Sequence, residues 1–240
     1  MDVILMAHSR LSNEFIDTIL SNDDTLSDLH NTGKVTDGEV VALTAIRNCY
    51  SHRKPSEILE AEGNKYFGEK GKEAKRLFNH ISKSGHTSTV EHITFTFLIE
   101  GVSRTLLAQL TRHRVGWSYS VESQRYVKLS SDSRSGGFDY VVPDGISGFQ
   151  GEVFEKIMDK AQQSYDYLIE LGVPQEDARA VLPNATATDL VVTCNLRALI
   201  DFVSKRDANK GAQTEIAKLS AIMAEKVKDV EPVLSEFFNI

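Results

Sequence analysis

The chain has two cysteines, five prolines and one tryptophan in 240 residues. Cys49 and Cys194 are far apart and outside any CxxC spacing, which excludes a disulfide framework and suits a reducing compartment. Nothing beside Cys194 would lower a thiol pKa, and beside Cys49 only Arg47 and His52 could, so both are read as incidental. His86 and His92 lack an HExxH or CxxC context, so no metal site is expected. The chain contains no P-loop, no GxGxxG and no GxSxG. A nucleotide, if bound, is therefore not cradled by a glycine-rich turn, and no serine sits on a nucleophile elbow. No apolar run approaches the roughly 18 residues of a membrane-spanning helix. The N-terminus has Asp2 and no basic flank, unlike a signal peptide, so a cytoplasmic, single-domain protein spanning 1–240 is expected.

Positive charge is also short. Lysine and arginine total 27 against 34 acids, a net charge of −7, which argues against broad nucleic-acid binding. One stretch departs from this balance. Gln109–Tyr126 reads QLTRHRVGWSYSVESQRY, and between Gly101 and Ser130 five cations (Arg104, Arg112, Arg114, Arg125, Lys128) face Glu122 alone. A cationic, hydroxyl-rich block in an acidic chain points to an anionic ligand. Arginine's planar fork suits phosphate and imide edges, and Arg179, Arg197 and Arg206 also stand at expected element ends. A structural alternative stays open, because Arg112 and Arg114 could simply offset the negative end of a helix. The residues alone reach a small anionic, phosphorylated ligand and go no further.

Periodicity supplies the frame. Residues 3–6 predict a short strand, Ser12–Leu20 a short helix, and Asn22–Gly38 a loop with one helical turn. Helices are expected over Glu39–Tyr50 and over Glu69–Ser84, the latter stopped by Gly85. His92–Ile99 alternates apolar and polar residues and is the best strand in the chain. Ser103 can cap a helix running to His113, with Gln109, Arg112 and His113 on one face. Short strands follow at Val127–Leu129 and Phe138–Val142, around a Ser130–Gly137 loop. Gly148–Leu171 predicts a helix with Val153, Ile157, Ala161, Tyr165 and Leu168 on its apolar side. A further helix begins at Pro174 and closes at Pro183, and Thr188–Asn195 reads as a strand. A helix from Leu196, a break at Arg206–Gly211 and a helix over Ala212–Val230 complete the chain.

RHRVGWSYSVESQRY resembles the signature of the flavin-dependent thymidylate synthases, an RHR, seven residues and a serine, then an Arg-Tyr pair. GHTSTVEHITFTF, EDARAVLP, CNLRALIDF and the Arg206-to-Glu215 block resemble other family segments in the same order, so the similarity spans about Leu43 to Ala224. The resemblance implies an α+β fold, an antiparallel sheet packed with helices. It implies conversion of dUMP to dTMP with methylenetetrahydrofolate as carbon donor and NADPH as reductant through bound FAD, in a homotetramer whose sites are shared between subunits.

Position by position, the resemblance puts Gln109, Leu110, Thr111, Arg112, Glu122, Ser123, Gln124, Arg125, Arg179 and Arg206 at dUMP. Arg206 also takes the catalytic role of favouring dUMP ionised at N3. FAD falls to His86, Ser88, Glu91, Arg112, His113, Arg114, Glu122, Asn195, Leu196, Arg197 and Asp201. No enzyme nucleophile is implied. Three departures stand out. Eight residues, not seven, separate Arg114 from Ser123, which leaves Val121 or Glu122 at the family's acidic or amide position. Lys210 replaces a common histidine in a block one residue longer, and Asp201 stands where an amide is frequent.

Overall fold

The computed structural model describes residues 1–239, apart from the side chains at positions 69, 70 and 239. Strand β1 (Asp2–His8) comes first, followed by helices α1 (Asn13–Thr18), α2 (Asp24–Asn31), α3 (Asp37–Tyr50) and α4 (Ile58–Ser84). Then come β2 (Thr94–Ser103), α5 (Arg104–Leu110), β3 (Trp117–Val121), α6 (Phe149–Glu170) and α7 (Gln175–Ala178). β4 (Ala187–Asn195), α8 (Leu196–Lys205) and α9 (Thr214–Val230) complete it. The four strands form one antiparallel sheet in the order β1-β2-β4-β3. The architecture is α+β, as expected.

The sheet is organised by its two central strands. Phe95, Phe97 and Ile99 of β2 lie beside Cys194, Val192 and Leu190 of β4, and all six are buried beneath helices. Each large apolar side chain so buried stabilises the fold by about 1.5–3 kcal/mol. The alternate residues face outward, with Thr96 and Thr193 joined across the strands by a 2.9 Å hydroxyl hydrogen bond.

Several expected boundaries move. The 22–38 stretch holds the two-turn helix α2, because Asp23 accepts the Thr25 and Leu26 N–H groups and Leu26 is buried. α4 starts eleven residues before Glu69, burying Ile58, Leu59 and Phe67. Gly63 permits that extension, since a Cβ there would lie 2.3 Å from Leu26 Cδ1. Gly85 ends α4 in the left-handed conformation (φ 74°) as expected. Val127–Leu129 is not a strand, and Phe138–Val142 shrinks to a single bridge between Tyr140 and Thr186. Leu129 and Phe138 instead join a second apolar cluster with Met158, Tyr165 and Ala178. On α6, Tyr165 is buried and Ala161 and Leu168 pack on the second cluster as expected, whereas Val153 and Ile157 are 40% and 53% exposed. Phe149 with Val153 and Ile157, and Tyr167 with Leu171, make two exposed apolar patches at the two ends of α6, separated by exposed Lys160 and Ser164.

The chain's last segment is tied to the start of α3. Glu231, 1% exposed, accepts the Gly38 N–H at 3.1 Å and the Thr36 hydroxyl. Burial pushes its pKa up to about 7, with Glu39 and Asp37 adding to the effect. A raised folded-state pKa in an acid means stability fully present below its ordinary pKa near 4.5 and lost as pH rises through about 7. Between pH 5 and pH 8, urea unfolding should therefore show Glu231→Gln gaining on the native protein by about 2–3 kcal/mol. Equal pH dependence of the two proteins would contradict this.

Candidate functional site

β2 and β4 run in opposite directions, so the helices that follow them start at opposite ends of the sheet. Ser103 caps α5 by accepting the Leu106 N–H at 3.0 Å, and Glu215 fixes Ser103 through both its N–H and its hydroxyl. Asn195 caps α8 by accepting the Ala198 N–H at 2.9 Å. The C-terminal ends of these helices then meet. Arg206, following α8, donates from Nη2 to the Gln109 carbonyl at 3.1 Å. The Tyr119 hydroxyl contacts the Leu110 and His113 carbonyls at 2.9 and 2.7 Å. The helix therefore ends at Leu110 rather than His113, and the expected common face of Gln109 and Arg112 is absent. Arg206, not Arg112 or Arg114, is the cation at its carbonyl end.

A cavity of about 750 Å³ opens where the helices meet. It brings together Glu91, Arg112, His113, Arg114, Asn195, Arg197, Asp201 and Arg206, all expected site residues from separate segments. Arg112 and Arg114 are exposed and, among the described residues, enter no ion pair. Arg197 pairs with Glu91. Sequence reasoning missed Lys205 and the apolar wall made by Trp117, Val115 and Ala198. The strand signal was present in Trp117-Ser-Tyr-Ser-Val121, whose alternation was masked by the signature around it. Trp117 stacks on Tyr119 with centroids 5.8 Å apart and meets Phe202 edge-on. The turn before it depends on Gly116 (φ 76°), where a Cβ would lie 2.7 Å from the Asn195 amide, and it projects Val115 outward.

His113 is the buried polar centre of the cavity, its side chain 8% exposed. Its Nε2 accepts from Arg206 Nε at 3.1 Å, and its ring meets Phe202 edge-on at 5.0 Å. Burial, then the neighbouring Arg206, lowers its pKa, so the imidazole stays neutral near pH 7.

The other expected residues lie elsewhere. Ser123 starts a turn in which its hydroxyl accepts the Arg125 N–H. Arg125 pairs with Glu176 at 2.7 Å, Arg179 donates to the Glu176 carbonyl, and Gln124 is buried. Val121 packs on the main core, whereas half-buried Glu122 lines a separate groove with Asp189 and has its pKa raised by burial. This second cluster begins at the far end of β3 from Trp117, about 13 Å away at roughly 3.3 Å per residue. Gln109 Nε2 reaches Gln213 at 3.4 Å, and Thr111 bonds back to the Leu107 carbonyl. Leu110 and Leu196 are wholly buried, backbone included, with the Leu110 carbonyl taken by Tyr119 and the Leu196 N–H by the Ile93 carbonyl, so neither offers a surface to a ligand. His86 lies outside the cavity, its Nδ1 2.5 Å from the Tyr50 hydroxyl, and Ser88 is exposed nearby. Cys49 is exposed, whereas Cys194 is buried with its thiol pKa pushed up. Among the described residues, no helix is long and apolar enough to cross a membrane.

Residues 32–233 match the family model described as "Thymidylate synthase complementing protein". The chain is 40% identical over 200 residues to the flavin-dependent thymidylate synthase of Geobacter sulfurreducens, covering 82% of this chain and 81% of that protein. It is 35% identical to that of Haloarcula marismortui, covering 85% and 91%. Its fold is similar to the Helicobacter pylori flavin-dependent thymidylate synthase solved with FAD and dUMP (TM-score 0.69, 23% identity, 98% of both chains). It is likewise similar to a UMP/dUMP methylase from Streptomyces cacaoi bound to 5-Br dUMP (TM-score 0.69, 22% identity, 99% and 94%).

The α5 end gives a prediction independent of any ligand. Tyr119→Phe removes a hydroxyl from two carbonyls and should lower stability in urea by about 1–3 kcal/mol without changing the far-UV spectrum. An unchanged midpoint would show that the hydroxyl does not hold the turn.

Proposed function

The chain belongs to the flavin-dependent thymidylate synthase family, and from that premise we propose that it converts dUMP to dTMP, taking the carbon from methylenetetrahydrofolate. The observation that carries this reading is the convergence of eight expected residues on one cavity. Their chemistry fits FAD. The unpaired Arg112 and Arg114 suit its pyrophosphate, while Trp117, Val115 and Ala198 offer an apolar wall for a planar ring. Glu91, His113, Asn195, Arg197 and Asp201 would complete the cradle, with His86 and Ser88 at its margin. FAD, when bound, supplies to the reaction the reducing equivalents taken from NADPH.

The protein's own part is to bind, orient and polarise. Ser123, Gln124, Arg125 and Arg179 hold the phosphate and sugar of dUMP, with Glu122 beside them. Gln109, Thr111 and Arg112 approach it from the helix end. Arg206 has a fixed origin, because two of its N–H groups are already engaged by His113 and Gln109. Its remaining N–H groups stabilise negative charge on the pyrimidine, favouring ionisation at N3 and electron density at the carbon to be methylated. This route needs no nucleophile from the chain.

The two clusters begin at opposite ends of β3. We therefore propose a homotetramer in which different subunits supply them, each chain acting as a single domain in the cytoplasm. The exposed apolar patches on α6 support such self-association. The purified protein should be yellow, and NADPH should bleach the flavin absorbance faster when dUMP is present. Arg206→Ala should lower dTMP formation about a hundredfold, as loss of a preorganised charge does. A colourless protein that FAD cannot reconstitute would contradict the reading.

A further inference from the structure

Arg206 can be directed only if the ring it touches offers a lone pair. A guanidinium has donors and no acceptor, so the 3.1 Å contact from Arg206 Nε requires an unprotonated His113 Nε2. In the neutral ring the proton then sits on Nδ1. That nitrogen faces Asp201 Oδ2 at 3.8 Å, longer than a hydrogen bond but close enough for the carboxylate's charge to favour an N–H there. The other tautomer would turn one N–H against Arg206 and a bare lone pair against the carboxylate. Lys205 holds Asp201 at 2.8 Å, which keeps the carboxylate from swinging away.

We propose that Asp201 is a positioning residue, which acts through the His113 tautomer to aim Arg206 into the cavity. This rests on the cavity being the flavin and dUMP site. An amide can present either an N–H or an oxygen to the ring, so it does not enforce one tautomer. A carboxylate presents acceptors only, so its charge favours the Nδ1–H form. The charged groups around the ring are Arg206, Lys205 and Arg112, which oppose its protonation, and Asp201, which favours it. Burial adds to the opposing side, and the ring stays neutral.

The test is nitrogen-15 NMR of the histidine ring, with the His113 signal assigned by its loss in His113→Gln. The native protein should show Nδ1 protonated and Nε2 bare at neutral pH, with or without ligands. Asp201→Asn should give a mixture of tautomers, and Asp201→Glu should restore the single one. In the FAD-loaded enzyme, Asp201→Asn should raise the KM for dUMP about three- to tenfold, the range of a misdirected polar contact. Its kcat should change less and its melting temperature should hold, with KM read at saturating FAD because Asp201 also lines the flavin cradle. A protonated Nε2 in the native protein, or an unmixed tautomer in Asp201→Asn, would overturn the proposal. A protein that holds no FAD and makes no dTMP would sink the functional reading instead, while the ring spectrum of the ligand-free chain would still decide the tautomer.

Discussion

Arg206 joins the ends of two helices that begin at opposite ends of one antiparallel strand pair. The constraint follows from the β2–β4 register, which sets Thr94 beside Asn195 and Ser103 beside Ala187. α5, only seven residues long, is too short to persist by its own hydrogen bonding. It is held at its start by Ser103 and Glu215, and at its finish by Tyr119 and Arg206. The clamp that completes this helix also fixes a guanidinium at the edge of the cavity. The same side chain thus holds the helix end and lines the cavity, and a change at Arg206 alters both.

The strongest sequence signals were local ones. β2 was legible because Phe95, Phe97 and Ile99 alternate with polar residues, and α8 because Leu196, Leu199 and Ile200 repeat at helical spacing. The early half of α4 was not, since Gly63 lowers helix propensity and its reason, contact with Leu26, is tertiary. Phe138–Val142 has strand composition, but its aromatics pack on α6 and leave one bridge to the sheet. Much of the site was legible by resemblance. Its electrostatics were less so, for the pairing of Arg206 with His113 joins residues on two elements. Periodicity also could not show that Trp117 would wall the cavity, because that depends on how β3 registers against Cys194.

The separation of the two clusters gives the molecule its remaining logic. β3 carries Trp117 at the cavity and delivers Glu122 and Ser123 at its other end, so a stiff strand keeps the halves apart. On the proposed reading, one copy presents two unlike surfaces, one for the flavin and one for the nucleotide phosphate, and neighbouring copies complete each other. The most direct test mixes Arg125→Ala with Arg197→Ala, each nearly inactive alone, and assays dTMP formation after subunit exchange. Sites shared between subunits predict that about a quarter of the sites in randomly mixed assemblies regain both clusters and restore measurable activity. A mixture no more active than its components would place both clusters in a single copy's site and contradict the account.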